Sequence, residues 1–170
     1  VGVDITFERF LNKGFYYLIT ASVFDSKYTG GDGIERNTKY NQHFVGNILG
    51  GKEWAIRTQK NSILGVNGRL YLIGGDRTSP IDYSASEIEE DVVYDNNRLY
   101  ESTEPFTYRF DLSVSLRRNH PNYSTIWAVE ILNLSSSVIT YQANYNYVSH
   151  QVQENKGRGM FPTFSYKIEF

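Results

Sequence analysis

The sequence predicts an all-β protein, an antiparallel transmembrane β-barrel, on three observations. Long segments alternate strictly between apolar and polar residues, the connections alternate between short and long, and the last segment ends on an aromatic residue. From Phe106 to Arg117 every even position is apolar (Phe106, Tyr108, Phe110, Leu112, Val114, Leu116) and every odd position is polar (Thr107, Arg109, Asp111, Ser113, Ser115, Arg117). Side chains alternate faces along a strand, so this segment has one apolar and one polar, partly charged face. At about 3.3 Å per residue it reaches roughly 40 Å, whereas an ordinary strand has about 5 or 6 residues and a tilted strand crosses a bilayer in about 9 to 11.

The other elements follow in chain order. Val3, Ile5 and Phe7 alternate with Asp4, Thr6 and Glu8 in a first strand. Asn12-Lys13-Gly14 makes a tight turn. Tyr17, Ile19, Ala21 and Val23 oppose Tyr16, Thr20 and Ser22 in a second strand. Residues 28–42, rich in Gly, Asp and Asn, read as a long loop. A third strand runs from about His43 to Arg57, its facing blurred by Gly46, Gly50 and Gly51; Thr58 to Asn61 is a short turn. Leu64, Val66, Leu70 and Leu72 alternate with Asn67 and Arg69 in a fourth strand. Residues 74–105 form the longest loop, with the acidic run Glu87 to Asp91. After the fifth strand, His120-Pro121-Asn122 turns the chain into a sixth, in which Trp127, Val129 and Ile131 oppose Ala128 and Glu130. Residues 135–160 form another long loop, with an eighth strand at 138–148 as an alternative. The last strand is Thr163 to Phe170. In membrane barrels short turns face the periplasm and long loops face outside, so the chain is expected to start outside and end in the periplasm.

Composition narrows the function. The 170 residues suffice for one domain. Cysteine is absent, which excludes disulfides and thiolate metal sites. A net charge of −2 argues against a broad nucleic-acid-binding face. The 14 tyrosines suit strands, membrane-interface belts or a sugar-binding surface. No run of about 18 apolar residues is present, so no transmembrane helix is expected, which leaves crossing by strands open. The chain begins at Val1 without a charged-then-apolar leader and is expected to be a piece of a longer protein.

Several stretches carry a resemblance that spans the chain in order: Lys13-Gly14-Phe15-Tyr16-Tyr17, Asp25-Ser26-Lys27-Tyr28, Asp32 to Thr38, Gly51-Lys52-Glu53-Trp54, Gly74 to Asp82, Tyr108 to Leu112, Glu130 to Leu134 and Gly159 to Tyr166. Together they resemble the C-terminal end of the barrel of TonB-dependent outer-membrane receptors, in the branch with a carboxypeptidase-regulatory-like domain. The sequence departs at Asn133-Leu134-Ser135-Ser136, where the family usually has Asn-Val-Thr-Asn. The resemblance implies that residues 1–170 are the last seven strands of a 22-strand barrel, in the bacterial outer membrane. Plug and N-terminal strands lie elsewhere. Such a receptor imports a scarce nutrient (a metal chelate, glycan or peptide). Its implied partners are lipid, the plug and the rest of the barrel, TonB through the missing N-terminal region, and the barrel-assembly machinery. No cofactor, metal or nucleic acid is implied.

The resemblance also implies an assembly signal on the last strand, at Phe164, Tyr166, Ile168 and Phe170; plain lipid-facing surface is the simpler reading of the same residues. The polar face holds Arg109, Asp111, Glu130, Lys167 and Glu169, expected toward the lumen, with Arg109 near Glu130; a charge-balanced wet wall is the alternative to substrate contact. Tyr28, Tyr40, Tyr83, Tyr94 and Tyr100 are loop ligand candidates, because aromatics among polar groups suit a flat ligand, although loop packing uses the same residues. Asp32-Gly33 and the acidic run match no calcium loop, and His43, His120 and His150 stand alone, so no catalytic site is expected. Asn122-Tyr123-Ser124 and Asn133-Leu134-Ser135 match the glycosylation pattern by chance. A second reading is a small self-contained barrel or sandwich that binds ligand through its tyrosine-rich loops. That reading buries Phe110, Leu112 and Val114 and exposes Arg109 and Asp111; the membrane reading turns the apolar set outward.

Overall fold

The structure is a computed structural model that describes residues 1–56, 61–140, 143–153, 156–157 and 159–170. Seven long strands make one antiparallel sheet: β1 (Gly2–Asn12), β2 (Phe15–Phe24), β3 (Phe44–Ile56), β4 (Ser62–Ile73), β5 (Thr107–Asn119), β6 (Ser124–Leu132) and β7 (Phe161–Glu169). They are hydrogen-bonded in chain order, so each strand pairs only with its sequence neighbours. The sheet is open, with β1 and β7 as its edges.

The turns behave as their residues dictate. Lys13 and Gly14 both take positive φ (52° and 74°), the backbone of the two-residue turns that match strand twist. The β5–β6 turn stacks His120 on Tyr123 at 4.4 Å. The expected turn at Thr58 to Lys60, and the Arg57 end of the third strand, lie outside the described residues. The short turns share one end of the sheet and the long loops the other.

Register decides which residues share a face. Tyr108, Phe110, Leu112, Val114 and Leu116 of β5 stand opposite Leu72, Leu70, Gly68, Val66 and Leu64 of β4. Leu112, Val114 and Leu116 stand opposite Ile131, Val129 and Trp127 of β6, and the last two continue to Phe164 and Tyr166 of β7. On β3, Phe44, Gly46, Ile48, Gly50, Lys52, Trp54 and Ile56 belong to this apolar face, which settles the strand whose facing the sequence blurred.

Among the described residues, no second layer covers the apolar face. Val3, Phe7 and Phe164 are 65%, 62% and 65% exposed, and Tyr145, in a loop, is the only large apolar side chain buried among the described residues. The sandwich expected in the second reading would have covered Phe110, Leu112 and Val114; here they have sheet neighbours beside them, and Val114 is exposed.

The long loops hold small elements. Lys27–Thr29 pairs with Glu35–Asn37, and Arg77–Thr78 with Ser102–Thr103. Within the stretch read as loop, α1 (Tyr83–Glu89) starts on Asp82, whose carboxylate accepts from the Ala85 N–H at 3.0 Å. Among the described residues of 138–148, none joins the seven-stranded sheet. Ile139–Thr140 pairs with Lys156–Gly157, and Asn144–Asn146 pairs with Gln151–Gln153, a hairpin beside α1.

Candidate functional site

The sheet presents two chemically different faces, and the long loops lie at one end of it. On the apolar face, aromatic side chains gather at both ends. Toward the short turns lie Phe15 and Tyr17 (6.1 Å apart), Trp54, and Trp127 against Tyr166 at 4.3 Å. Toward the long loops lie Phe44, Phe106 and Tyr108, with ring centroids 5.7 and 6.1 Å apart. Between the two groups the face is aliphatic or glycine on β3 and β4, apart from Lys52, which lies over the Trp54 ring. From Phe44 to Trp54 the strand climbs about 33 Å; with a tilt of about 40° the vertical span is about 25 Å.

The polar face is a hydrogen-bonded wall. Tyr16 Oη donates to Asn67 Oδ1 (2.5 Å), and Asn67 Nδ2 donates to Ser113 Oγ (3.2 Å). Tyr16 reaches that far because its cross-strand partner is Gly51. A Cβ there would lie 2.7 Å from Tyr16 Oη. Arg69 Nη1 donates to Tyr71 Oη (2.6 Å), and the Arg109 guanidinium lies 4.6 Å over the Tyr71 ring. Arg109 Nη2 also donates to Asp111 Oδ2 (3.0 Å). At the other end of β5, Arg117 and Lys167 both pair with Glu169, at 3.0 and 2.6 Å.

Of the polar-face residues expected from sequence, Arg109 meets Asp111 and Lys167 meets Glu169. Glu130 shares their face but does not meet Arg109. It stands opposite Ser113, and the register carries the position opposite Arg109 past the end of β6. Sequence spacing alone does not fix how far two strands slide, and that slide is the difference. Phe164, Tyr166 and Ile168 lie on the apolar face, and Phe170 stands one residue beyond β7, fully exposed.

The loop end is organised by Asn41, which the sequence did not single out, and by Asn133, which it marked only as a departure from the family pattern and a chance glycosylation match. Asn41 is fully buried. Its Nδ2 donates to Asp25 Oδ1 and Asn37 Oδ1, both at 2.8 Å, and its Oδ1 accepts from Ser26 N–H. The Asn41 hydrogen bond, and then Lys27, hold the Asp25 carboxyl below its ordinary range. Asn133 is 1% exposed and adopts φ 53°, a left-handed conformation that asparagine tolerates. Its Oδ1 accepts from Ser135 and Ser137, its Nδ2 donates to Ser137 O and Gly159 O, and its N–H donates to the buried Asp111 at 2.8 Å. It ties the end of β6 to the start of β7 and to the Arg109–Asp111 pair. The signal was available, since Asn-Leu-Ser-Ser after an apolar strand is turn chemistry.

The five loop tyrosines do not converge; no ring contact joins any two of them among the described residues. Tyr28 sits in the Lys27–Thr29 strand, and Tyr40 lies beside Lys39 (5.7 Å). Tyr94 bridges to Ile81, and the Tyr100 N–H donates to Ser79 Oγ. Tyr83 instead lines an open groove with Glu87, Tyr145, His150 and Val152. Asp32, considered as a cation ligand, is occupied by Arg36 at 2.7 Å, which lowers its pKa to about 2.

No family model matches the chain, and no curated protein or solved structure does.

Proposed function

We propose that this sheet is part of the wall of an outer-membrane β-barrel, its apolar face against hydrocarbon and its polar face toward a wet interior. Within that class, the protein we propose is a TonB-dependent receptor, of which these are C-terminal strands, importing a scarce nutrient. The observation that carries the first step is the uncovered apolar face, continuous over seven strands and bounded at both ends by aromatic rings. In water an exposed apolar area of this extent is strongly unfavourable, at about 25 cal/mol per Å². In a bilayer it is the expected exterior, and aromatic girdles sit where lipid meets water. The second step rests on the motifs from Lys13-Gly14 to Ser165-Tyr166 quoted above.

The two open edges fit the same reading. Hydrocarbon leaves unpaired backbone N–H and C=O groups without partners, so a wall segment needs strands beyond β1 and β7. Phe164, Tyr166, Ile168 and Phe170 then serve the assembly machinery, the role the family resemblance implies for this strand. Arg109, Asp111, Glu130, Lys167 and Glu169 face the plug and the nutrient path.

Fractionation of cells that express the full-length protein tests both steps. The account expects a heat-modifiable band in the outer-membrane fraction and loss of growth on the limiting nutrient when TonB is deleted. Recovery of the protein in a soluble fraction contradicts the first step. Growth independent of TonB contradicts the second.

A further inference from the structure

We infer that Arg9, Lys52 and Arg118 form a binding girdle for anionic phospholipid headgroups at the short-turn end of the apolar face, an inference that rests on the barrel-wall reading. Strand charges are segregated. Asp4, Glu8, Glu53, Asp111, Glu130 and Glu169 all lie on the polar face, by register with Ser22, Leu18, Gly65, Arg69, Ser113 and Ser124. The apolar face holds no acidic residue in the seven strands, and its three charged residues are all basic.

Those three gather at one end. Arg9 stands opposite Tyr17, three residues before the end of β1. Lys52 stands opposite Phe15 and four residues before the end of β3. Arg118 stands opposite Ser62 and Thr125, beside the last residue of β5. All three are exposed, and none of their side chains makes an ion pair or hydrogen bond among the described residues. Two of them rest on the aromatic girdle, Arg9 5.9 Å over Phe15 and Lys52 5.3 Å over Trp54. These two cations lie at the rings, and in a barrel wall the aromatic rings sit at the depth of the headgroup phosphates, which long basic side chains reach from apolar surface. Uncompensated cations at that depth match an anionic headgroup.

The probe is tryptophan fluorescence of the full-length protein in phosphatidylcholine vesicles. Either dibrominated phosphatidylglycerol or dibrominated phosphatidylcholine serves as quencher. The part of the signal lost in a Trp54→Phe/Trp127→Phe variant reports this girdle. The expected result is a preference of about fivefold or more for the phosphatidylglycerol quencher, since each cation near an anionic surface contributes about 1 kcal/mol. That preference should fall to about one in Arg9→Gln/Lys52→Gln/Arg118→Gln, and in the wild type at high salt. Equal quenching by both lipids, or a preference that survives the triple substitution, overturns the inference. Absence of quenching by either lipid overturns the barrel-wall reading with it.

Discussion

Three residues set the local order, and each makes a measurable prediction. Asn133 satisfies five hydrogen bonds through its buried side chain. Asn133→Ala strands Ser137 and Gly159 and is expected to cost about 2–3 kcal/mol, read as a lower unfolding midpoint in detergent. Asn133→Gly restores the φ but not the bonds, so it should recover little. Gly51 is required because Tyr16 crosses it. In a double-mutant cycle, Gly51→Ala and Tyr16→Phe should each destabilise by about 1 kcal/mol and the pair by less than the sum, since both break the bond to Asn67. Asp32 gives a pH dependence. Its pKa, lowered from 3.8 to about 2 by Arg36 and then by the Ile34 N–H, contributes order to the 27–37 hairpin that is fully present above the ordinary carboxylate value. That contribution is lost as pH falls toward 2. Proteolysis of this loop should accelerate over that interval in the wild type and be flat in Asp32→Asn.

The strands were legible because alternation is a local property with a period of two. Val3-Ile5-Phe7 and Phe106 to Leu116 announce their faces without any knowledge of neighbours. The α1 helix was not legible. Its signal is one N-cap, Asp82, and seven residues, too short for a 3.6-residue period to show against the surrounding loop. The pairing of Arg109 with Asp111 rather than Glu130, and the loop tie at Asn41, depend on register and on chain folding back, which no local pattern encodes. The facing itself makes a prediction that separates lipid from water. Val114 is 41% exposed, so in water Val114→Arg should change stability little. Against hydrocarbon the same change should cost about 2–4 kcal/mol, while Ser113→Arg on the other face should cost much less. Unfolding in lipid vesicles measures both.

At the scale of the whole molecule, the sheet is a single layer with two surfaces and two open edges. A water-soluble domain of this length would bury a core, whereas here the polar residues Asn41, Ser86, Asp111 and Asn133 are buried and the apolar strand faces are not. The chain expressed alone without detergent is accordingly expected to be polydisperse in light scattering, because its apolar face and its edges remain unpaired. The most direct measurement of the central claim is a spin-label scan along β5. These 170 residues contain no cysteine, so each label site on β5 is introduced singly. Labels at 108, 110, 112, 114 and 116 of the full-length protein in vesicles should be accessible to oxygen and shielded from a water-soluble nickel complex. Labels at 109, 111, 113 and 115 should show the reverse, with a period of two. Equal nickel access at both sets, or an apolar set shielded from both reagents, would place Phe110 and Leu112 outside the bilayer and contradict the account.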